Sequence, residues 1–117
     1  MPVRDEHIVA RYYLMAPDLP EQTCLLWDDD KGGGSCLVSE TVFGAGYSDN
    51  YVVAESHPHG THSTTLYWYI VRNRSNETSG DSGLRLQAKG PFSTQQYATL
   101  KTQLHLPEFT TVLTDLE

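Results

Sequence analysis

The segment Thr64-Thr65-Leu66-Tyr67-Trp68-Tyr69-Ile70-Val71 is apolar or aromatic at odd and even positions alike. Successive side chains of a strand point to opposite faces, so a strand without alternation needs cover on both sides. The run therefore predicts a central strand held between two layers. No other stretch of the chain constrains the fold as tightly. The 117 residues are enough for one core, and residues 1–117 read as a single domain.

The other segments supply neighbours for that strand. Residues 7–16 read as one strand, with Ile8, Ala10, Tyr12 and Leu14 on one face. Residues 22–27 and 35–39 read as a hairpin around Asp28-Asp29-Asp30-Lys31-Gly32-Gly33-Gly34. Residues 41–47 and 51–55 follow as strands. Gly44 and Gly46 suggest a bulge or bend in the first, and Ser48-Asp49-Asn50 is turn chemistry between them. A long polar stretch, 72–83, reads as an exposed loop before a short strand at 84–88.

The helix signal is local and specific. Ser93 followed by Gln96 makes a capping box, Phe92 and Tyr97 make a hydrophobic staple, and Tyr97, Leu100 and Leu104 share one side. Pro107 ends the helix, and 109–113 forms a last short strand. The expected fold class is α+β: a single antiparallel β-meander sheet of five to six strands, with one C-terminal helix over 93–104 packed on one face.

Charge narrows the partners. The net charge is −7, and the eight Lys and Arg residues are scattered, which argues against nucleic acid and anionic lipid. An acidic surface suits a basic protein partner, with plain solubility as the simpler reading. No apolar run is long enough for a membrane-spanning segment. The N-terminus does not read as a signal peptide. The expected compartment is cytoplasmic by default, or periplasmic or envelope for a chain whose leader has been removed. Cys24 and Cys36 face each other across the expected hairpin. A disulfide and a pair of buried free thiols are both open readings.

Side chains able to do chemistry bunch at His57-Pro58-His59-Gly60-Thr61-His62. In extended backbone His57 and His59 project to one side, and His62 returns from the turn at Gly60. Three imidazoles with an open position would form a zinc or copper site. The competing reading is a solvated loop between two strands. Asp28, Asp30 and Gly32 match only part of a calcium loop and lack its later ligands. Gly80-Asp81-Ser82-Gly83 looks like a serine-protease nucleophile loop, but Leu84 departs from that pattern and the chain is too short. The Asn73-Arg74-Ser75 and Asn76-Glu77-Thr78 triplets match the glycosylation pattern, which carries weight only in a secreted eukaryotic protein. Strand aromatics, Trp27 and Trp68 among them, read as cross-strand packing or as interface anchors.

Taken in order, Tyr12-Tyr13-Leu14, Val42-Phe43-Gly44-Ala45-Gly46-Tyr47, Asp49-Asn50-Tyr51-Val52-Val53-Ala54, His57-Pro58, Leu66 to Val71 and Gly90-Pro91-Phe92-Ser93 make a pattern. It resembles a family of small bacterial domains of unknown function, often lipoproteins, with a β-meander and a C-terminal helix. The resemblance runs from about Tyr12 to Leu106. The chain departs from the family in having no lipid-anchor cysteine near its start. The resemblance implies the meander fold and a bacterial origin, and it implies no activity.

The expected function is a non-enzymatic protein-binding module of bacterial type, an inhibitor or immunity protein for a toxin or enzyme. Asp28, Asp29, Asp30, Trp27 and Trp68 are its candidate partner-binding residues, and no cofactor is expected. The alternative is a small metal-binding protein or metalloenzyme using His57, His59 and His62. A third reading is a stabilising module of a larger assembly.

Overall fold

A computed structural model of the chain describes residues 4–28, 34–58, 63–73, 77 and 87–117. Nine strands and one α-helix stand among them. Strands β1 (Arg4–Val9), β2 (Tyr12–Ala16), β3 (Cys24–Asp28) and β4 (Gly34–Val38) form one antiparallel sheet in chain order. Strands β5 (Val42–Tyr47), β6 (Tyr51–Ser56), β7 (Leu66–Val71), β8 (Lys89–Phe92) and β9 (Thr111–Val112) form a second. Its order is β8-β7-β6-β5-β9, and every pairing is antiparallel. Helix α1 (Thr94–Leu104) packs against this second sheet.

The fold class is α+β with antiparallel strands and one helix, but there are two sheets, of four and five strands, rather than a single sheet of five to six. The reason lies in β7. Trp68 and Ile70 point to one side and Tyr67 and Tyr69 to the other, so both sides need cover. The first sheet covers one, through Tyr12, Leu14, Leu25, Trp27 and Val38. The helix covers the other, through Tyr97, Leu100 and Leu104. One helix and one sheet would leave the Trp68 side of β7 facing water, at roughly 25 cal/mol for each Å² of apolar surface left exposed.

The expected strand over 7–16 is a hairpin. Val9 pairs with Tyr12, leaving Ala10 and Arg11 as the turn. Ala10 sits at φ 49°, a conformation usually given to Gly or Asn. Its carbonyl accepts from His7 Nε2 at 2.8 Å. The pairing shifts between His7 and Val9, and Ile8, Tyr12 and Leu14 still share the core, with Val9 packed against it.

Strand β5 carries the bulge that its glycines suggest, with pairing to β6 shifting between Val42 and Gly44. The shift lets Val42, Phe43 and Ala45 all enter the core. The glycines face the other way, Gly44 against the Glu55 side chain and Gly46 against the segment through Glu108 and Phe109. A Cβ on Gly46 would meet the Glu108 carbonyl oxygen at 1.9 Å, so only glycine lets that segment cross the sheet.

The capping box of α1 is present as expected. The Gln96 amide donates to Ser93 Oγ at 3.2 Å, and the Ser93 amide donates to Gln96 Oε1 at 2.9 Å. Of the stretch 72–83 expected as an exposed loop, residues 74–76 and 78–83 lie outside the described residues, and Arg72 and Glu77 form a buried ion pair. Arg72 Nε and Nη2 donate to Glu77 at 2.9 and 2.8 Å, with side chains 3% and 7% exposed. Arg72 Nη1 donates to the Ser48 carbonyl, and Arg11 Nε donates to the Glu77 carbonyl, both at 2.7 Å. The hydrogen bond to Glu77 raises the Arg72 pKa. Burial, followed by the Glu77 charge, pushes the Tyr12 hydroxyl up to about 12. Of the expected strand at 84–88, residues 84–86 lie outside those described and 87 and 88 are not in a strand; the strand that follows is β8, at Lys89–Phe92.

Candidate functional site

Of the three histidines, His57 is described, and His59 and His62 lie outside the described residues. His57 follows β6 and is 3% exposed. Its ring stacks on Phe43 with centroids 5.5 Å apart. Nε2 donates to the Leu116 carbonyl at 2.5 Å, and Nδ1 stands 3.2 Å from the Pro58 carbonyl. A carbonyl only accepts, so Nε2 carries a proton in this arrangement. Metal ligation through Nε2 would require that bond to open. Among the described residues no group of three or more His, Cys, Asp or Glu side chains stands close enough to hold a metal ion.

The candidate partner-binding residues part company. Trp27 is 1% exposed and turned inward, edge-on to Tyr12 with centroids 5.2 Å apart. Trp68 is half-buried against the same core, and its Nε1 donates to Ser56 Oγ at 2.9 Å. Asp28 ends β3 on the opposite side of the strand from Trp27, while Asp29 and Asp30 lie outside the described residues. Both indoles sit on the core-facing parity of their strands, Trp27 fully buried and Trp68 in part.

The same parity argument shows which side chains face outward. In the four-stranded sheet Tyr12, Leu14, Leu25 and Trp27 point in, so Tyr13, Met15, Cys24 and Leu26 point out. Pairing sets them in two cross-strand rows. Asp5, Met15 and Cys24 form one, and His7, Tyr13, Leu26 and Cys36 form the other. The His7 and Tyr13 rings touch at 4.8 Å. A disulfide joins Cys24 to Cys36 across β3 and β4, with Cα atoms 5.8 Å apart, which decides between the two readings of the thiols. It braces this face of the sheet.

A depression of about 220 Å³ lies on the face, lined by Asp5, Tyr13, Met15, Leu26 and Asp28. Its floor is a phenol ring and two aliphatic side chains, and a carboxylate stands at each end. No hydrogen bond or ion pair of either carboxylate is found among the described residues. Two described basic side chains of this sheet are engaged elsewhere. Arg4 Nη2 pairs with Asp115 at 3.0 Å, and Arg11 donates to the carbonyls of Asp28 and Glu77. Such a lining suits a cation whose aliphatic stem rests on apolar surface. Tyr13 is one of the strand aromatics read from the sequence, while Asp5, Met15 and Leu26 are not among the residues singled out there. Their signal is the parity opposite to Tyr12 and Leu14, which becomes readable once the inward face is known.

A second group of perturbed side chains lies on the opposite side of the molecule, under α1. Burial, then the Glu117 charge, lifts the Glu55 carboxyl to about 6. Burial, then the charges of Glu55 and Glu108, raises the Tyr97 hydroxyl. That hydroxyl is buried and has no hydrogen-bond partner among the described residues, and its ring stacks on Tyr67 at 4.6 Å. This is the contact that docks the helix.

No helix among the described residues is long and apolar enough to cross a membrane. No protein-family model, curated protein or solved structure matches the chain.

Proposed function

We propose that the chain is a non-enzymatic protein-binding module of bacterial type, an inhibitor or immunity protein that seats on a toxin or enzyme. One observation carries the reading. The five-stranded sheet has its outer side covered by α1, whereas among the described residues Tyr13, Met15 and Leu26 on the four-stranded sheet are only partly buried and no contact with α1 covers them. A partly apolar, disulfide-braced sheet face with acidic ends is the kind of rigid surface on which interfaces are built. The net charge of −7 favours a basic partner and speeds its approach. The disulfide supports residence in an oxidising compartment, such as the periplasm or cell envelope.

The test compares immobilised wild-type chain with Met15→Arg, which puts a long cation onto the floor. The expected result is a basic protein retained from the native host by wild type and released by high salt. The variant does not retain it. Identical retention by both chains, or none by either, would remove this reading.

A further inference from the structure

We infer that the depression on the four-stranded sheet receives an extended basic segment with two cationic side chains flanking an apolar one. The inference rests on the protein-binding reading and names the chemistry of the partner. The strand register carries it. Asp5 of β1 stands level with Met15 of β2. Asp28 of β3 stands level with Arg11, whose carbonyl accepts from the Asp28 amide at 2.9 Å. The two acids are thus four residues apart along β2 and two strands apart across the sheet. With a rise of about 3.3 Å per residue and strands about 4.8 Å apart, their backbones are separated by about 16 Å on the diagonal. Tyr13 lies between them, with Met15 and Leu26 beside it.

An extended segment places residues i, i+2 and i+4 on one side, and i to i+4 covers about 13 Å. A segment of the form Arg-x-Leu-x-Arg therefore matches the diagonal. The reach of two arginine side chains makes up the difference. The central leucine meets Tyr13, Met15 and Leu26. Each guanidinium meets one carboxylate, and a planar guanidinium can also lie on the Tyr13 ring. A single cation could not satisfy both ends at this separation. A second copy of this chain is a poor occupant, since both copies carry net charge −7.

The probe is the peptide acetyl-Arg-Gly-Leu-Gly-Arg-amide, titrated at low salt into the isotope-labelled full chain and followed by NMR. Saturable shifts are expected at Tyr13, Met15 and Leu26. The neutral citrulline counterpart is expected to bind about tenfold more weakly. The Asp5→Asn/Asp28→Asn variant keeps the wild-type spectrum and loses the same factor. Equal binding of the two peptides overturns the inference, as do shifts that map to another face or no saturable shift at all. If the peptide binds as expected but Met15→Arg retains the same host proteins as wild type, the site stands and the partner reading falls. If retention depends on Met15 but the arginine peptide shows no preference, the dibasic segment alone falls.

Discussion

The imidazole of His57 holds the carbonyl of Leu116, 59 residues away in sequence, at 2.5 Å. The ring after β6 thereby fastens the turn that carries Leu116, whose side chain is itself in the core between the sheets. His57→Ala removes the donor, strands a buried carbonyl and empties the space beside Phe43. A loss of about 2–3 kcal/mol is expected. Urea denaturation measures it, and a loss below a few tenths would show that the bond does not fasten the turn.

Glu77 is the second fastening. Its carboxylate takes two hydrogen bonds from Arg72, and both side chains are buried. Glu77→Ala leaves the Arg72 guanidinium in the interior without its counter-charge. Breaking such a pair costs about 3–5 kcal/mol. Replacing both residues together, as Arg72→Met/Glu77→Leu, is expected to cost much less. A double-mutant cycle by thermal denaturation separates the two cases.

The Glu55 carboxyl titrates near 6 in the folded chain, against an ordinary value of 4.5. The folded state therefore holds this proton more tightly than the unfolded chain does. The stabilisation is complete below 4.5 and is lost as pH rises through 6. Glu55 is only half-buried, so solvent reduces the effect to about 1 kcal/mol. Glu55→Gln should be more stable than wild type by that amount at about pH 8 and no more stable at about pH 4. Parallel melting curves at the two values check the sign.

The disulfide closes a separation of 12 residues. Restricting the unfolded chain over such a loop contributes about 3 kcal/mol. Cys24→Ser/Cys36→Ser should lose close to that amount. A reductant should lower the melting temperature of wild type and leave the variant unmoved. The same variant should weaken binding at the Tyr13 face, because the bridge ties Cys36, in the row of Tyr13 and Leu26, to Cys24, in the row of Asp5 and Met15.

Short-range signals were legible. The capping box at Ser93 and Gln96, the staple of Phe92 and Tyr97, and the stripe through Leu104 involve residues within a few turns of one another. Their physics is complete within the segment. The unbroken apolar run of β7 likewise required cover on two sides, because side-chain direction in a strand follows from backbone geometry alone.

What covers each side is a long-range matter. Alternation tells which residues share a face, but not which other element meets it. A two-sheet answer and a one-sheet answer therefore share the same parity pattern. The turn at Ala10 carries no glycine or asparagine, so the first hairpin reads as a single strand until Tyr12 is seen paired with both Val9 and Trp27. Trp27 reads equally well as an anchor or as core, and packing against Tyr12 made it core. His57 has the residue type of a ligand, and a carbonyl 59 residues away gives it a structural partner. The residues of the chain determined the strands, the helix and the side-chain parity. The meeting of distant segments decided the second sheet, the buried ion pair and the exposed acidic face, since burial depends on neighbours that only the folded chain brings together.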